Sequence, residues 1–312
     1  MKKIGIVASA LLLCACAGIN KNTVSYQMSK YDQHAYYVVA GEGATKDAAA
    51  ENALSNMRQN ILQNVPDAQK IEQLDDLLAN AKIGKVWRDK SQQDVKNYFA
   101  LAVLKRATAQ TILQAPANDL DARLGALTAK LQATEDKFAG LRAAFAMEPL
   151  IVKRNVLQDL YIFISEEHEG YEAQRFDSFK KMYNDRLAAV KVAVVVRGEE
   201  HLVLLSRITD AVNRMGLSVV EPTDSTALLS VEVDAEVDGY TSDRLKGLEW
   251  AATGASVSMR DLQNLTTFAR FDVHDRAGTG RQADSLRKSM EGVGQKAATE
   301  IVERLTNYLK TK

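Results

Sequence analysis

Few residues in this chain of 312 could do chemistry: two cysteines, Cys14 and Cys16, and four histidines, His34, His168, His201 and His274. A thiol can be a nucleophile, a metal ligand, half of a disulfide or an acylation point, and its surroundings decide which. Both cysteines stand at the end of an apolar run, Ile4 to Leu13, which itself follows Lys2 and Lys3. A basic start, an apolar segment of about ten residues and a small-residue cleavage site make an export signal, one too short to span a bilayer. Cleavage is expected before Cys16, because Cys16 follows the small Ala15 while Cys14 follows the bulky Leu13, a poor fit to a small-residue pocket. Residues 1–15 then leave as a signal peptide and take Cys14 with them. No thiol would remain for a disulfide, a metal site or a nucleophile.

The stretch Leu13-Cys14-Ala15-Cys16 resembles the lipobox of bacterial lipoproteins. That resemblance implies that Cys16 is acylated and becomes the new N-terminus. Each buried methylene contributes about 0.8 kcal/mol and a single chain binds marginally, so several acyl chains make attachment effectively permanent. Ala17 after the cysteine resembles the sorting pattern of lipoproteins sent to the outer membrane, which places the expected site there, on the periplasmic side. The alternative is an ordinary secretory signal with two incidental cysteines.

The other candidates weaken on inspection. No two histidines stand in a His-x-x-x-His pair, and His168, within Glu166-Glu167-His168-Glu169, reads as a solvated turn because a metal site needs three or four convergent ligands. Gly41-x-Gly43 lacks the third glycine and the Gly-Lys-Ser/Thr ending of a nucleotide loop and reads as a tight strand-to-helix turn. Asp234, Glu236 and Asp238 alternate and so share a strand face, suited to calcium or a basic partner. The plainer reading is the solvent side of a half-buried strand whose other side is Val231, Val233, Ala235 and Val237. Trp87 and Trp250 lie in strand-like sequence, where core packing takes precedence over sugar stacking. Without a Gly-x-Ser-x-Gly elbow or another recognisable catalytic frame, a non-enzymatic protein with no catalytic residue, metal or cofactor is expected, with an unrecognised hydrolase as an alternative.

Charge supports a partner other than nucleic acid. The chain carries 40 basic and 40 acidic residues, and removal of Lys2 and Lys3 leaves 38 against 40, a net of −2. Four prolines and 6% aromatics among many alanines point to helix-rich architecture. No later apolar run approaches eighteen residues, so the body is expected to be tethered and not membrane-spanning.

The elements that must carry these residues can be read in order. Residues 16–34 are polar without either period, as expected of a lipidated cysteine and a flexible tether. A strand from Tyr36 to Ala40 leads through Gly41-Glu42-Gly43 to a helix with Ala50, Ala53, Leu54, Met57, Ile61, Leu62 and Val65 on one stripe, ended by Pro66. A second helical stretch, Ala68 to Ala79, precedes strands Ile83 to Arg88 and Asn97 to Leu104, joined by a turn at Asp89 to Asp94. The run Tyr36-Tyr37-Val38-Val39-Ala40-Gly41-Glu42-Gly43, its alanine-rich helix, Val86-Trp87-Arg88-Asp89 and Tyr98-Phe99-Ala100-Leu101-Ala102-Val103-Leu104 together resemble the outer-membrane lipoprotein family founded on a twenty-kilodalton antigen of a gastric pathogen. The resemblance covers residues 35–110. It implies an envelope role, since that family includes envelope antigens and outer-membrane components of flagellar motors.

Residues 111–189 carry the clearest period. Leu120, Leu124, Leu127, Leu131, Thr134, Phe138, Leu141 and Phe145 repeat at alternating steps of four and three, a heptad seam about 40 Å long at 1.5 Å per residue. Its expected partner is a helix opened by Pro149, giving an antiparallel hairpin; self-association through the seam into a homo-oligomer is the alternative. From residue 190 onward come strand Val192–Val196, helix Glu199–Met215 stopped by Gly216, strand Leu217–Val220, strands around Leu228–Val237, Glu249–Met259 and Thr266–His274, and a closing helix Ala283–Leu309. The expected fold class is α+β: two sheet-plus-helix modules, 35–110 and 190–312, separated by a long coiled-coil-like hairpin. The expected work is that of a structural, scaffold or assembly component with envelope-protein partners; a cell-wall- or lipid-binding lipoprotein, using aromatic surface and the C-terminal sheet, is the runner-up.

Overall fold

The computed structural model describes residues 22–88, 97–134, 136–198, 201–243 and 246–311. It is an α+β fold with a three-stranded and a five-stranded sheet and long helices between them. The chain divides into two compact bodies, Met1–Asp119 with Lys153–Tyr171 and Leu120–Val152 with Glu172–Lys312.

The first body holds α1 (Val24–Met28), β1 (Tyr36–Gly43), α2 (Lys46–Asn64), a 3-10 turn at Pro66–Lys70, α3 (Gln73–Ala79), β2 (Lys82–Arg88) and β3 (Tyr98–Lys105). The strands form an antiparallel sheet in the order β1-β3-β2. Thr45 caps α2 by accepting the Ala48 N–H at 3.1 Å, and Asp47 in the first turn suits the positive end of the helix. Ala49, Ala53, Met57 and Ile61 recur every fourth residue on the buried stripe of α2. Gly41 and Gly43 meet that stripe from inside β1: a Cβ on Gly41 would stand 2.1 Å from the Ala53 nitrogen, and one on Gly43 2.5 Å from the Ala49 nitrogen. The two glycines therefore serve close helix-on-sheet approach and not the turn expected of them. Because β1 is an edge strand, its outward carbonyls need partners. Asn52 donates to the Glu42 carbonyl at 2.7 Å and Asn56 to that of Ala40 at 2.9 Å, while Asn60 accepts the Tyr37 hydroxyl at 2.8 Å. Asn52 and Asn56, one helical turn apart, thus cover two carbonyls of the edge.

The opposite face of this sheet buries Trp87, Leu101 and Val103, with Val24 and Met28 of α1 packed over them. Trp87 stacks on Phe99 with centroids 5.7 Å apart and donates its indole N–H to the Asn22 carbonyl at 2.7 Å. The tether expected over residues 16–34 is accordingly shorter: from Asn22 onward the chain is docked, because Val24 and Met28 lie one turn apart and supply an apolar face that a polar-looking segment conceals.

The second body holds α6 (Ala173–Ala188), β4 (Lys191–Arg197), α7 (His201–Arg214), β5 (Ser218–Val220), β6 (Leu229–Asp243), β7 (Leu248–Asp261), β8 (Thr266–Thr279) and α8 (Gln282–Thr311). Its sheet runs β5-β4-β6-β7-β8, with β4 parallel to both β5 and β6 and the long β6-β7-β8 meander antiparallel. Gly216, at φ +82°, ends α7 in the left-handed conformation and directs the chain into β5. Alternation along the meander sends Val231, Val233, Ala255, Val257, Met259 and Val273 into a core with Leu204, Ile208 and Val212 of α7 and Met290, Val293, Ala297, Ile301, Leu305 and Leu309 of α8. At the start of α8 small polar residues replace apolar ones: buried Ser289 shares a 2.7 Å hydrogen bond with Thr253 and donates to the Asp275 carbonyl, and Ser285 donates to that of Glu249. At the other end, buried Asp261 closes the β7-β8 turn. It accepts the Gln263 and Asn264 backbone N–H groups, the Asn264 side chain and the Tyr308 hydroxyl at 2.6–3.0 Å.

In chain order the two sheets are separated by α4 (Arg106–Ala133) and α5 (Lys137–Ser165), each divided between the two bodies. They run antiparallel: in the first body Gln110 reaches Glu167 and Gln114 reaches Tyr161, and in the second Leu124 and Leu131 cluster with Ala144, Met147 and Ile151. The first helix ends at Ala133 and the second begins at Lys137, so Pro149 sits inside α5 and does not open it. Asp136 accepts the Phe138 N–H at 3.0 Å and so caps the second helix, while Arg186 of α6 donates to the Leu131 carbonyl at 2.6 Å near the end of the first. The expected second helix is also two helices, α5 and α6, parted at residues 166–172, where Glu166 and Glu172 take left-handed backbone.

Candidate functional site

Cys16 and the whole expected signal peptide, residues 1–15, lie outside the described residues. The seam is divided. Leu120, Leu124, Leu127 and Leu131 belong to α4, whereas Phe138, Leu141 and Phe145 belong to α5, so the spacing continues across a chain reversal and no single 40 Å stripe forms. Leu124 and Leu131 are buried with Met147, Ile151, Phe176 and Phe179, and Leu127 packs against them. Phe138 and Leu141 are buried in the core of the second sheet, with Phe145 against it, and Leu120 is buried as well. Among the described residues the chain's own helices cover Leu120, Leu124, Leu131, Phe138 and Leu141.

The remaining sequence candidates fall on the outer side of the second sheet or on loops. Arg197 pairs with Asp234 at 3.3 Å and with Glu232 at 3.8 Å, and a register shift at Val237/Gly239 displaces Asp238 toward His274, 3.2 Å away. Of the three alternating acids, Asp234 thus meets Arg197 and Asp238 meets His274, and among the described residues no three metal-ligating side chains converge. Trp250 lies over Gly278, with the Arg276 guanidinium 4.9 Å from its ring centroid. His168 stands exposed between α5 and α6.

A cleft in the first body brings together residues that no motif connects. It has a volume of about 470 Å³ and is lined by Tyr31, Tyr36, Lys82, Gly84, Lys105 and Thr108, with Asn80, Ile83 and Val103 beside them. Register explains the convergence: Tyr36 is opposite Lys105, Lys82 is opposite Val103, and Val103 and Lys105 are two apart on β3, so all four share the face that carries α1. β2 loses regular register between Ile83 and Val86. Gly84 lies in that irregularity, and a Cβ there would stand 2.3 Å from the Tyr31 hydroxyl and 2.8 Å from Val103. The glycine therefore seats Tyr31, whose ring meets that of Tyr36 edge-on at 5.8 Å and 77°. The lining contains no carboxylate, and among the described residues neither Lys82 nor Lys105 has an ion-pair or hydrogen-bond partner for its ammonium group. Sequence reading missed this site because its residues come from three stretches, 31–36, 80–84 and 103–108, that only the sheet brings together.

The groove between β4, β5 and α7 is larger, about 680 Å³, but Val194, Val196, Leu205 and Val219 wall it, and the polar Asp224 at its edge is already engaged. Hydrogen bonds from Thr226 to Asp224, with Lys191 nearby, hold that carboxyl below its ordinary range.

No family model matches the chain, and no curated protein does. Among solved structures it is similar to a secreted protein of Helicobacter pylori at 14% identity and a TM-score of 0.37, over 84% of this chain and 97% of that one. It is also similar to a minor lipoprotein of Acinetobacter baumannii at 10% identity and TM-score 0.30, over 39% and 96% of the two chains. A lipoprotein of Neisseria meningitidis matches at 11% and 0.27, over 38% and 99%.

Proposed function

We propose that this chain is a lipid-anchored envelope protein of the bacterial outer membrane, facing the periplasm, and that it works by binding and placement, as a scaffold or assembly component, without catalysis. The observation that carries the reading is Leu13-Cys14-Ala15-Cys16 behind a basic and apolar leader. The resemblance of residues 35–110 to the twenty-kilodalton outer-membrane lipoproteins supports it and extends it to partners among envelope proteins, flagellar components included. Folding supports it too. The chain is docked from Asn22, so six residue steps join Cys16 to the folded part, a span of at most about 20 Å at roughly 3.3 Å per residue. The first body is therefore held close to the bilayer.

Cross-linking in intact cells, followed by identification of the neighbours, tests this. Outer-membrane and periplasmic proteins should be recovered with the wild type, and the outer-membrane ones lost with Cys16→Ser. Neighbours drawn from the cytosol would overturn the assignment.

A further inference from the structure

We propose that the cleft between β1, β2, β3 and Tyr31 binds a pyranose sugar that carries one anionic group, a carboxylate or a phosphate. Three observations on the cleft set the ligand's chemistry. Its charge is positive and unspent: Lys82 and Lys105 line it, no carboxylate does, and neither lysine is paired among the described residues. Two strand lysines brought to one face without counter-charges favour an anion between them. Its walls are aromatic and hydroxylic, with Tyr31 and Tyr36 set edge to face as a corner; an aromatic ring packs the C–H face of a sugar, and hydroxyls answer sugar hydroxyls. Its volume of about 470 Å³ admits one or two sugar rings and excludes a folded partner.

The corner is also built. Gly84 leaves open the space that Tyr31 fills, since a Cβ there would come within 2.3 Å of the tyrosine hydroxyl. Tyr31 and the bulged start of β2 are therefore fitted to one another. The ligand reading stands apart from the anchor: loss of acylation would leave the cleft intact, and an empty cleft would leave the anchor intact.

Calorimetry on the full-length protein, with glucuronic acid, glucose 6-phosphate and glucose as probes, tests the proposal. At least one acidic sugar should bind with a Kd at or below about 1 mM, and glucose at least about tenfold more weakly. The tighter of the two acids identifies carboxylate or phosphate as the preferred group. Lys82→Ala and Lys105→Ala, both at exposed positions, should each weaken binding about tenfold with an unchanged circular dichroism spectrum, and Gly84→Ala should weaken it by displacing Tyr31. Failure of both acids to bind at about 20 mM, glucose binding as tightly as the acids, or affinity indifferent to both lysine variants would overturn it.

Discussion

Replacing Gly41 by alanine would put a Cβ 2.1 Å from the Ala53 backbone nitrogen, so α2 would have to lift from the sheet. The expected cost is about 1–3 kcal/mol, seen as a lower urea midpoint, and a variant unfolding with the wild type would show that the contact relaxes freely. Asp261 makes the opposite kind of test, by removal. Burial alone would raise its carboxyl, but hydrogen bonds from Tyr308, from the Asn264 side chain and from the Asn264 and Gln263 N–H groups outweigh burial and bring it down to about 2. Since this lies below the ordinary 3.8, the folded state takes up that proton less readily than the unfolded chain. Its stabilisation is fully present above about pH 4 and is lost as pH falls through 2. Asp261→Asn should cost about 1–3 kcal/mol at pH 7 and flatten the fall in stability between pH 4 and 2, both read from urea titrations. Equal stability at neutral pH would mean that the turn holds without the charge.

Helix α4 and its partners carry the seam inside the chain, and this fixes what seam mutants should do. Leu124→Ala and Leu131→Ala, at positions exposed by 0% and 1%, should each cost about 3–5 kcal/mol, with no change in sedimentation at folding conditions. A shift from dimer to monomer in either variant would instead restore the intermolecular seam. Along the edge of β1, Asn56→Ala should cost about 1 kcal/mol in the urea midpoint and promote concentration-dependent association, detectable by light scattering, because the Ala40 carbonyl loses its cover. Wild-type behaviour on both counts would remove the asparagines' protective role. At this scale sequence patterns read well wherever one face of an element is buried. The order of strands and helices after residue 190 follows the alternation of Val192–Val196 and Val231–Val237 and the stop at Gly216. The turn of the hairpin is not legible in the sequence, because Leu131, Thr134 and Phe138 keep heptad spacing across it and mask the capping signal of Asp136, while Pro149 offers a false helix start. Gly41-x-Gly43 was legible as a close approach only once Ala49 and Ala53 stood opposite it.

Across the whole molecule, the chemistry assigned to residues and the architecture that presents them come from different parts of the chain. The proposed anchor rests on a local pattern, a leader followed by Ala15-Cys16. The cleft is non-local, and neither Tyr31 nor Lys82 nor Lys105 has a distinctive neighbour in sequence; three strands had to be paired before the two lysines and two tyrosines lined one cleft. The segment docked from Asn22 bears on the proposed anchor, since the tether expected over residues 16–34 shortens to six residue steps from Cys16, at most about 20 Å at roughly 3.3 Å per residue. Labelling of growing cells with radioactive palmitate, followed by membrane fractionation, tests the central claim most directly. Wild type and Cys14→Ser should carry label and sediment with the outer membrane, and Cys16→Ser should carry none and appear unlabelled in the soluble or inner-membrane fraction. Label that persists in Cys16→Ser, or a wild type that never acquires it, would contradict the account.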